Sequence, residues 1–333
     1  MTLAAAPLSV LDLAIVGRDE TAADALASAV TFAQRAEQLG YRRVWYAEHH
    51  NMASIASSAT SVLIAHVAAH TSTIRLGSGG IMLPNHTPLT IAEQFGTLAT
   101  LHPGRIDLGL GRAPGTDQNT MRALRRDDRA ADTFPDDVLE LQAYLQGSSR
   151  IPGVEAVPGA GTDVPLYILG SSLFGAQLAA DLGLPYAFAS HFAPAALLDA
   201  VALYRQRFRP SSQLAEPYVM AAINVLAATE TDDAERQLLE VRRRRVARFV
   251  VAPGRELTDD EADRILASPQ GRQLAHMMHY TAAGDPPTVA RRIEDFAAET
   301  GADEVVTVHA SSTGTERLRS LELLAGALAP AGS

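Results

Sequence analysis

The sequence contains no cysteine. That absence excludes a disulfide scaffold, thiolate zinc, cysteine-ligated iron–sulfur clusters and a cysteine nucleophile. Lysine is missing too, so all 28 basic side chains are arginine. Neither a Schiff-base lysine, as in pyridoxal-phosphate or lysine-aldolase chemistry, nor a Walker-type phosphate lysine is available. No apolar run approaches the roughly 20 residues of a membrane helix. The start, Met1 to Val10, lacks the positive n-region and long apolar core of a secretory signal. Acidic residues number 38 and give a net charge of −10, which leaves no broad footprint for nucleic acid. The 333 residues, 47% of them hydrophobic, can build one large α/β domain or two ordinary ones. These features read as a soluble, cytoplasmic, globular protein.

What is present is a repeated strand-then-helix pattern. Strands are expected at Leu8–Ala14, Arg42–Ala47, Ile74–Leu83, Arg105–Leu110, Val164–Leu169, Pro185–Ala189, Tyr218–Ala227 and Glu304–His309. Helical spacing follows at Thr21–Leu39, Ser57–Ala69, Leu89–Leu101, Asp136–Leu145, Phe174–Leu182, Pro194–Phe208 and from Glu316 to about Leu328. Eight strands, each followed by a helix in about 300 residues, predict a (β/α)8 barrel; a doubly wound open sheet fits the period but usually needs fewer strands. No repeat or low-complexity linker marks a second domain, so residues 1–333 read as one barrel domain. The stretch 230–285 is too long for one crossover and is expected to be a helical insertion after strand seven.

In a parallel barrel, function collects at the C-terminal ends of the strands. The second strand ends in Glu48-His49-His50-Asn51. Adjacent histidines on a strand point to opposite faces and do not easily grip one metal. One of them at the mouth could act as a general acid/base; the plainer reading has one capping a loop and the other packed inside. The third strand carries Gly77-Ser78-Gly79-Gly80, either a β-bulge or a floor at Gly79 and Gly80 for a planar cofactor.

The fourth strand runs into Gly109-Leu110-Gly111-Arg112-Ala113-Pro114-Gly115. The dinucleotide fingerprint fails there, because Pro114 takes the third glycine's place and no acidic residue closes a following strand. Arg112 with the glycine-rich backbone still forms an anion cradle; Arg122 either joins it or is a solvated surface arginine. Gly170-Ser171-Ser172 precedes a helix and is either a phosphate site or an ordinary N-cap. His66 and His70 fall on an outer helix, and Arg242–Arg245 reads most simply as a solvated or partner-facing run, substrate carboxylate recognition being the minority reading. His276, Met277, Met278, His279 and Tyr280 either line a pocket or pack in a helix.

Taken together, Tyr46–Asn51, Leu76–Pro84 and His102–Arg112 resemble the bacterial luciferase-like flavin monooxygenases. The likeness is clear from Leu8 to about Asp117, and looser through Val164–Ser190 and Gly301–His309. Within that family the sequence looks closest to a subgroup that includes antibiotic-pathway tailoring oxygenases, such as those acting on aromatic polyketides. The resemblance implies a barrel that binds reduced FMN, usually as a homodimer, and oxygenates a small-molecule substrate with O2 through a C4a-hydroperoxyflavin. It implies that His49 stands beside the flavin, that Gly79 and Gly80 are joined by a cis peptide under its ring, and that Arg112, Arg122 and Ser171, with neighbouring Ser172, meet its phosphate. Gly111 stands where the luciferase has a reactive cysteine, which implies room for a larger substrate. Lacking a nicotinamide fingerprint, the chain is expected to take reduced flavin from a separate reductase. A hydride-transfer enzyme using the deazaflavin F420 and a non-catalytic flavin-binding subunit are the alternatives.

Overall fold

The computed structural model describes residues 6–17, 19–113, 115–250 and 257–329. Met1–Ala5, Pro114 of the glycine-rich turn and residues 251–256 of the expected insertion lie outside them. The first half of the chain runs β1 (Leu8–Asp12), α1 (Ala22–Gln38), β2 (Arg43–Tyr46), α2 (Thr60–Ala68), β3 (Arg75–Met82), α3 (Pro88–Leu101), β4 (Ile106–Gly111), α4 (Gln118–Ala123) and α5 (Phe134–Leu145). It continues through β5 (Leu166–Gly170), α6 (Leu173–Leu182), β6 (Tyr186–Phe188), α7 (Leu197–Arg207) and β7 (Val219–Ala227). The last part holds α8 (Thr231–Val250), α9 (Asp259–Leu266), α10 (Pro269–His276), β8 (Thr281–Gly284), α11 (Pro286–Thr300), β9 (Glu304–His309) and α12 (Gly314–Leu328).

The local sequence sets these boundaries. Thr21 caps α1 and Asp24 reaches back to the Thr21 backbone; Thr313 and Glu316 do the same for α12. Asp285 accepts from Thr288 N–H, with Pro286 in the first turn of α11, and Gly301 ends that helix in the left-handed conformation.

Eight strands close a parallel barrel in the order β6-β5-β4-β3-β2-β1-β9-β7, with β6 pairing back to β7. The eight-stranded barrel expected from the sequence is therefore the fold. A ninth strand, β8, was not anticipated. It pairs with Asn224–Ala227 of β7, whose other edge still holds β9 at Asn224 and Val225. So β8 lies on the edge where β6 pairs with Val219–Ala221, beyond the end of that short strand. Helix α11 was likewise unanticipated.

The strands are buried on both faces, which is why they read as apolar runs rather than alternating ones. Val44, Leu76, Leu108 and Ile168 face the helices, while Leu11, Trp45, Tyr167, Met220 and Val306 fill the barrel. Each large side chain so buried contributes about 1.5–3 kcal/mol.

The N-terminal end of the barrel is closed by charge. Arg43 on β2 pairs with Asp107 on β4 at 2.6 Å and with Glu304 on β9 at 2.9 Å, all three buried. Tyr167 OH accepts from Arg43 at 2.8 Å, and Tyr218 OH donates to Glu304 at 2.7 Å. Arg75 also pairs with Asp107, and Ser9 with Glu304. This end is plugged by a buried network of ion pairs and hydrogen bonds, which leaves the other end for chemistry.

Candidate active site

The C-terminal mouth is organised around Glu48, the second residue past β2. Its buried carboxylate lies 2.8 Å from His50 Nε2 and 2.9 and 3.0 Å from His86 Nε2. It also accepts from Asn85 Nδ2 at 3.2 Å and from the Met82 backbone N–H at 3.0 Å. Burial alone would raise the Glu48 pKa, but the bonds from His50 and His86 outweigh it and hold the pKa at about 2. His50 is correspondingly raised, chiefly by its bond to Glu48. One carboxylate thus pins the β2 and β3 exits together. Asn51 adds a tie to the β4 exit through Nδ2, 3.0 Å from Asp117, the residue that caps α4.

His50 is engaged by Glu48, whereas His49, among the described residues, meets only the Gly115 backbone. Its Nδ1 is shielded from solvent and has no hydrogen-bond partner. Burial, and secondarily the charge of Arg248, holds its pKa below the ordinary value, so the imidazole is neutral at pH 7. His191, past the end of β6, is buried as well, and desolvation followed by the charges of Arg245 and His49 pushes it down to about 3. The sequence reading passed over His191; a single histidine after a very short strand carries no spacing signal.

The peptide between Gly79 and Gly80 is cis, and the β3–β4 register shifts between Ser78 and Ile81. The chain itself accounts for these glycines. A Cβ on Gly80 would stand 2.8 Å from the Gly109 carbonyl oxygen, and one on Gly79 would stand 2.6 Å from Leu11 Cδ1. Gly111 does not open an empty space: a Cβ there would stand 2.9 Å from Met82 Sδ, so the room beside it is held by a flexible thioether.

Arg112 leaves β4 half-buried. Its Nε donates to the Ala131 carbonyl at 3.2 Å, and its guanidinium carbon lies 4.3 Å from the centre of the Phe174 ring on α6. Arg112 and the start of α6 therefore meet. Ser171 and Ser172 are both exposed there. Ser172 has the extended backbone of an N-cap, but its hydroxyl does not cap the helix, and its carbonyl accepts from Tyr186 OH at 3.0 Å. The first-turn N–H groups of α6 stay open to an anion. Arg122 is exposed on α4, and Arg126 reaches back from that segment, with Nε 3.3 Å from the Asn85 carbonyl.

The other singled-out residues fall into structural roles. His66 on α2 and His70, just past its end, are exposed and meet edge-to-face. Met278 and Tyr280 are buried, Tyr280 against Phe296 of α11, while His276 and His279 face outward. The arginine run of α8 divides. Arg243 forms a fork onto α9, 2.5 Å from Asp259 and 2.6 Å from Asp263, whereas Arg245 carries a buried Nη1 without a partner. Among the described residues no group of three or more acidic or histidine side chains is placed to hold a metal ion, and no helix is long and apolar enough to cross a membrane.

Known proteins resemble this chain over most of its length. Residues 8–304 match the family model for luciferase-like monooxygenases. A luciferase-like monooxygenase of Escherichia coli K12 is 47% identical over 321 residues, 95% of each chain. An N-acetyl-S-alkylcysteine monooxygenase of Bacillus subtilis is 36% identical over 257 residues, 75% of each chain. The solved structure of apo-MsnO8 superposes with a TM-score of 0.86 at 35% identity, covering 97% of this chain and 98% of that one. More distant structures share the fold alone. The oxygenating constituent of 3,6-diketocamphane monooxygenase from Pseudomonas putida, in complex with FMN, has a TM-score of 0.72 at 16% identity, covering 98% of this chain and 99% of that one. An F420-dependent secondary alcohol dehydrogenase has 0.69 at 17%, covering 98% and 100%. The chain belongs to the luciferase-like monooxygenase family and is an enzyme of that class.

Proposed function

We propose that the protein is an FMN-dependent monooxygenase that takes reduced flavin and O2 and oxygenates a small organic substrate at the barrel mouth. The observation that carries this reading is the pairing of an anion-ready corner with an imidazole that keeps one ring nitrogen unpartnered. Arg112 and the uncapped start of α6 form the corner, and His49 with its shielded, unpartnered Nδ1 is the imidazole. The residues fit FMN. Its phosphate would be held by the Nη edge of Arg112, the first N–H groups of α6 and the hydroxyls of Ser171 and Ser172. Its ring would lie toward Gly79, Gly80 and His49. When bound, reduced FMN supplies the electrons with which O2 is split between substrate and water.

The protein's own contribution is positional and protonic. His49, neutral at pH 7, can donate or accept one proton at Nδ1 without first breaking a hydrogen bond. Glu48, anchored through His50 and His86, fixes the backbone that presents it. The apolar side chains filling the barrel, Leu11 and Trp45 among them, keep water from entering beneath the site. A separate reductase and a homodimer are part of the same reading, as is a role in natural-product tailoring.

Anaerobic titration of the protein with reduced FMN, followed by mixing with O2 in a stopped-flow spectrometer, tests the reading. Tight binding and a transient absorbance unlike that of reduced or oxidised FMN support it. Absent FMN binding with tight binding of F420 would replace it by hydride transfer. The N-acetyl-S-alkylcysteines named for the Bacillus relative are the first substrates to supply.

A further inference from the structure

Helix α8 carries arginines in two different states. Arg236 is tied to Asp233, Glu240 and Glu316, and Arg243 to Asp259 and Asp263. These are ordinary helix-surface and helix–helix ion pairs. Arg242, Arg245 and Arg248 recur every third residue and so fall along one side of the helix. Arg242 Nε and Arg245 Nη1 are shut off from solvent without a hydrogen-bond partner. Arg248 Nη2 lies 2.8 Å from Met52 Sδ, a neutral and weak acceptor three residues beyond His49. Among the described residues no acid pairs with Arg245 or Arg248.

Arg245 is half-buried and Arg248 exposed. Withdrawing the Arg245 guanidinium from water without a counter-charge is unfavourable, and Arg248 lies close enough to add to the effect of burial in holding Arg245 down to about 10. The same two reach the mouth: the charge of Arg245 is felt at His191 and that of Arg248 at His49. The carboxylate coupled to this cluster, Glu48, is already engaged by His50 and His86. A site that concentrates uncompensated positive charge beside two neutral imidazoles lacks one thing, an anion delivered from outside. The flavin phosphate has its own corner at Arg112 and α6, reached from β4 and β5 rather than from β7.

We propose that Arg245 and Arg248 form the receptor for an anionic group, a carboxylate, on the substrate, and hold it beside His49 and His191. The inference rests on the monooxygenase reading for the word substrate, but the anion receptor can be tested without it. Such a receptor selects acids over their esters and amides, and it fixes the distance between the charged end of the substrate and the atom presented to the flavin.

The experiment is calorimetric titration of the full chain with three carboxylates of growing body, acetate, benzoate and octanoate, and with the corresponding amides. It is run on the cofactor-free protein and again with FMN added. At least one carboxylate is expected to bind tenfold or more tightly than its amide. Arg245→Met and Arg248→Met should each remove that preference, while Arg319→Met, an exposed arginine on α12, should leave it. Melting temperatures of the two mouth variants no lower than wild type establish that the loss is not unfolding; for a variant that melts lower, the more conservative Arg→Gln change replaces it. The proposal is overturned if no carboxylate is preferred over its amide by more than threefold, if the preference survives in both mouth variants, or if FMN competes with the carboxylate. Competition would mean that these arginines serve the flavin phosphate. Failure of FMN to bind the wild-type protein would refute the proposed function while the carboxylate titration still decided the receptor.

Discussion

Replacing Glu48 by Gln removes one charge and leaves the shape, and its effect can be worked out from the site. In the folded protein the carboxylate has a pKa of about 2 against an ordinary 4.5. A group whose folded pKa is depressed contributes stability that is present above its unfolded pKa and is lost as pH falls through the folded value. The side chain is 1% exposed, so solvent screening does little to reduce the effect. The difference between 4.5 and about 2 corresponds to about 3 kcal/mol when Glu48 is fully ionised, falling to about 2 kcal/mol at pH 3.5.

His50 shows the same interaction from its other end. Its raised pKa contributes stability that is full below 6.5 and lost as pH rises through the folded value. The gap between wild type and Glu48→Gln should therefore peak near pH 5–6 and shrink on both sides. Urea unfolding followed by fluorescence of Trp45, the single tryptophan, measures that gap at pH 3.5, 5.5 and 8. A gap below about 1 kcal/mol at pH 5.5, or one independent of pH, would show that Glu48 does not organise the mouth through its charge.

Arg112→Ala should weaken FMN binding about tenfold to a hundredfold, the usual range for losing charge-assisted hydrogen bonds. Fluorescence titration with FMN would show it, and unchanged affinity would remove Arg112 from the phosphate corner. His49→Gln should lower substrate oxygenation about 10²–10⁴-fold while FMN affinity changes little, as expected for loss of a positioned proton donor or acceptor; wild-type turnover in that variant would assign the proton to another group. Gly80→Ala drives a methyl to 2.8 Å from the Gly109 carbonyl oxygen, so urea denaturation should register a loss of about 1–3 kcal/mol or more. Gly40→Ala is the control, since its Cβ would meet nothing within 4 Å. Its φ of +78° still carries a conformational penalty, about 1–2 kcal/mol.

The barrel was legible because parallel strands under helices write a coarse signal: apolar runs, helical spacing and glycine stops recur often enough to count. Strand β8 escaped because Thr281-Ala282-Ala283-Gly284 is short and small, with Thr281 its one strong β-former, and it pairs along the edge of β7 that the short β6 leaves open. Helix α11 could have been found from Asp285-Pro286-Pro287 at its start and Gly301 at its end. At the candidate site, the residues that the sequence singles out are those carried by strand ends, because a glycine, a histidine or an arginine interrupting an apolar strand stands out. His49, Gly79, Gly80, Gly111 and Arg112 are of that kind. The residues brought in by helices and loops do not stand out in that way. Arg126 and His191 look like any other exposed-type residues until the fold sets one against Asn85 and buries the other.

The α8 arginines show why that division is physical. In sequence, Arg242, Arg243, Arg244 and Arg245 are equivalent, and the simplest reading is a solvated run. Helical geometry breaks the equivalence by turning successive side chains about 100° apart. Arg243 is thereby aimed at Asp259 and Asp263 on α9, while Arg245 and, one turn on, Arg248 come round toward the mouth. Which arginine finds a carboxylate is decided by where α9 packs, a long-range fact that no local pattern contains. A charge that a fold leaves unsatisfied after all its internal carboxylates are placed is therefore more informative about a ligand than the sequence run in which it sits. That residue of charge is what the carboxylate titration measures.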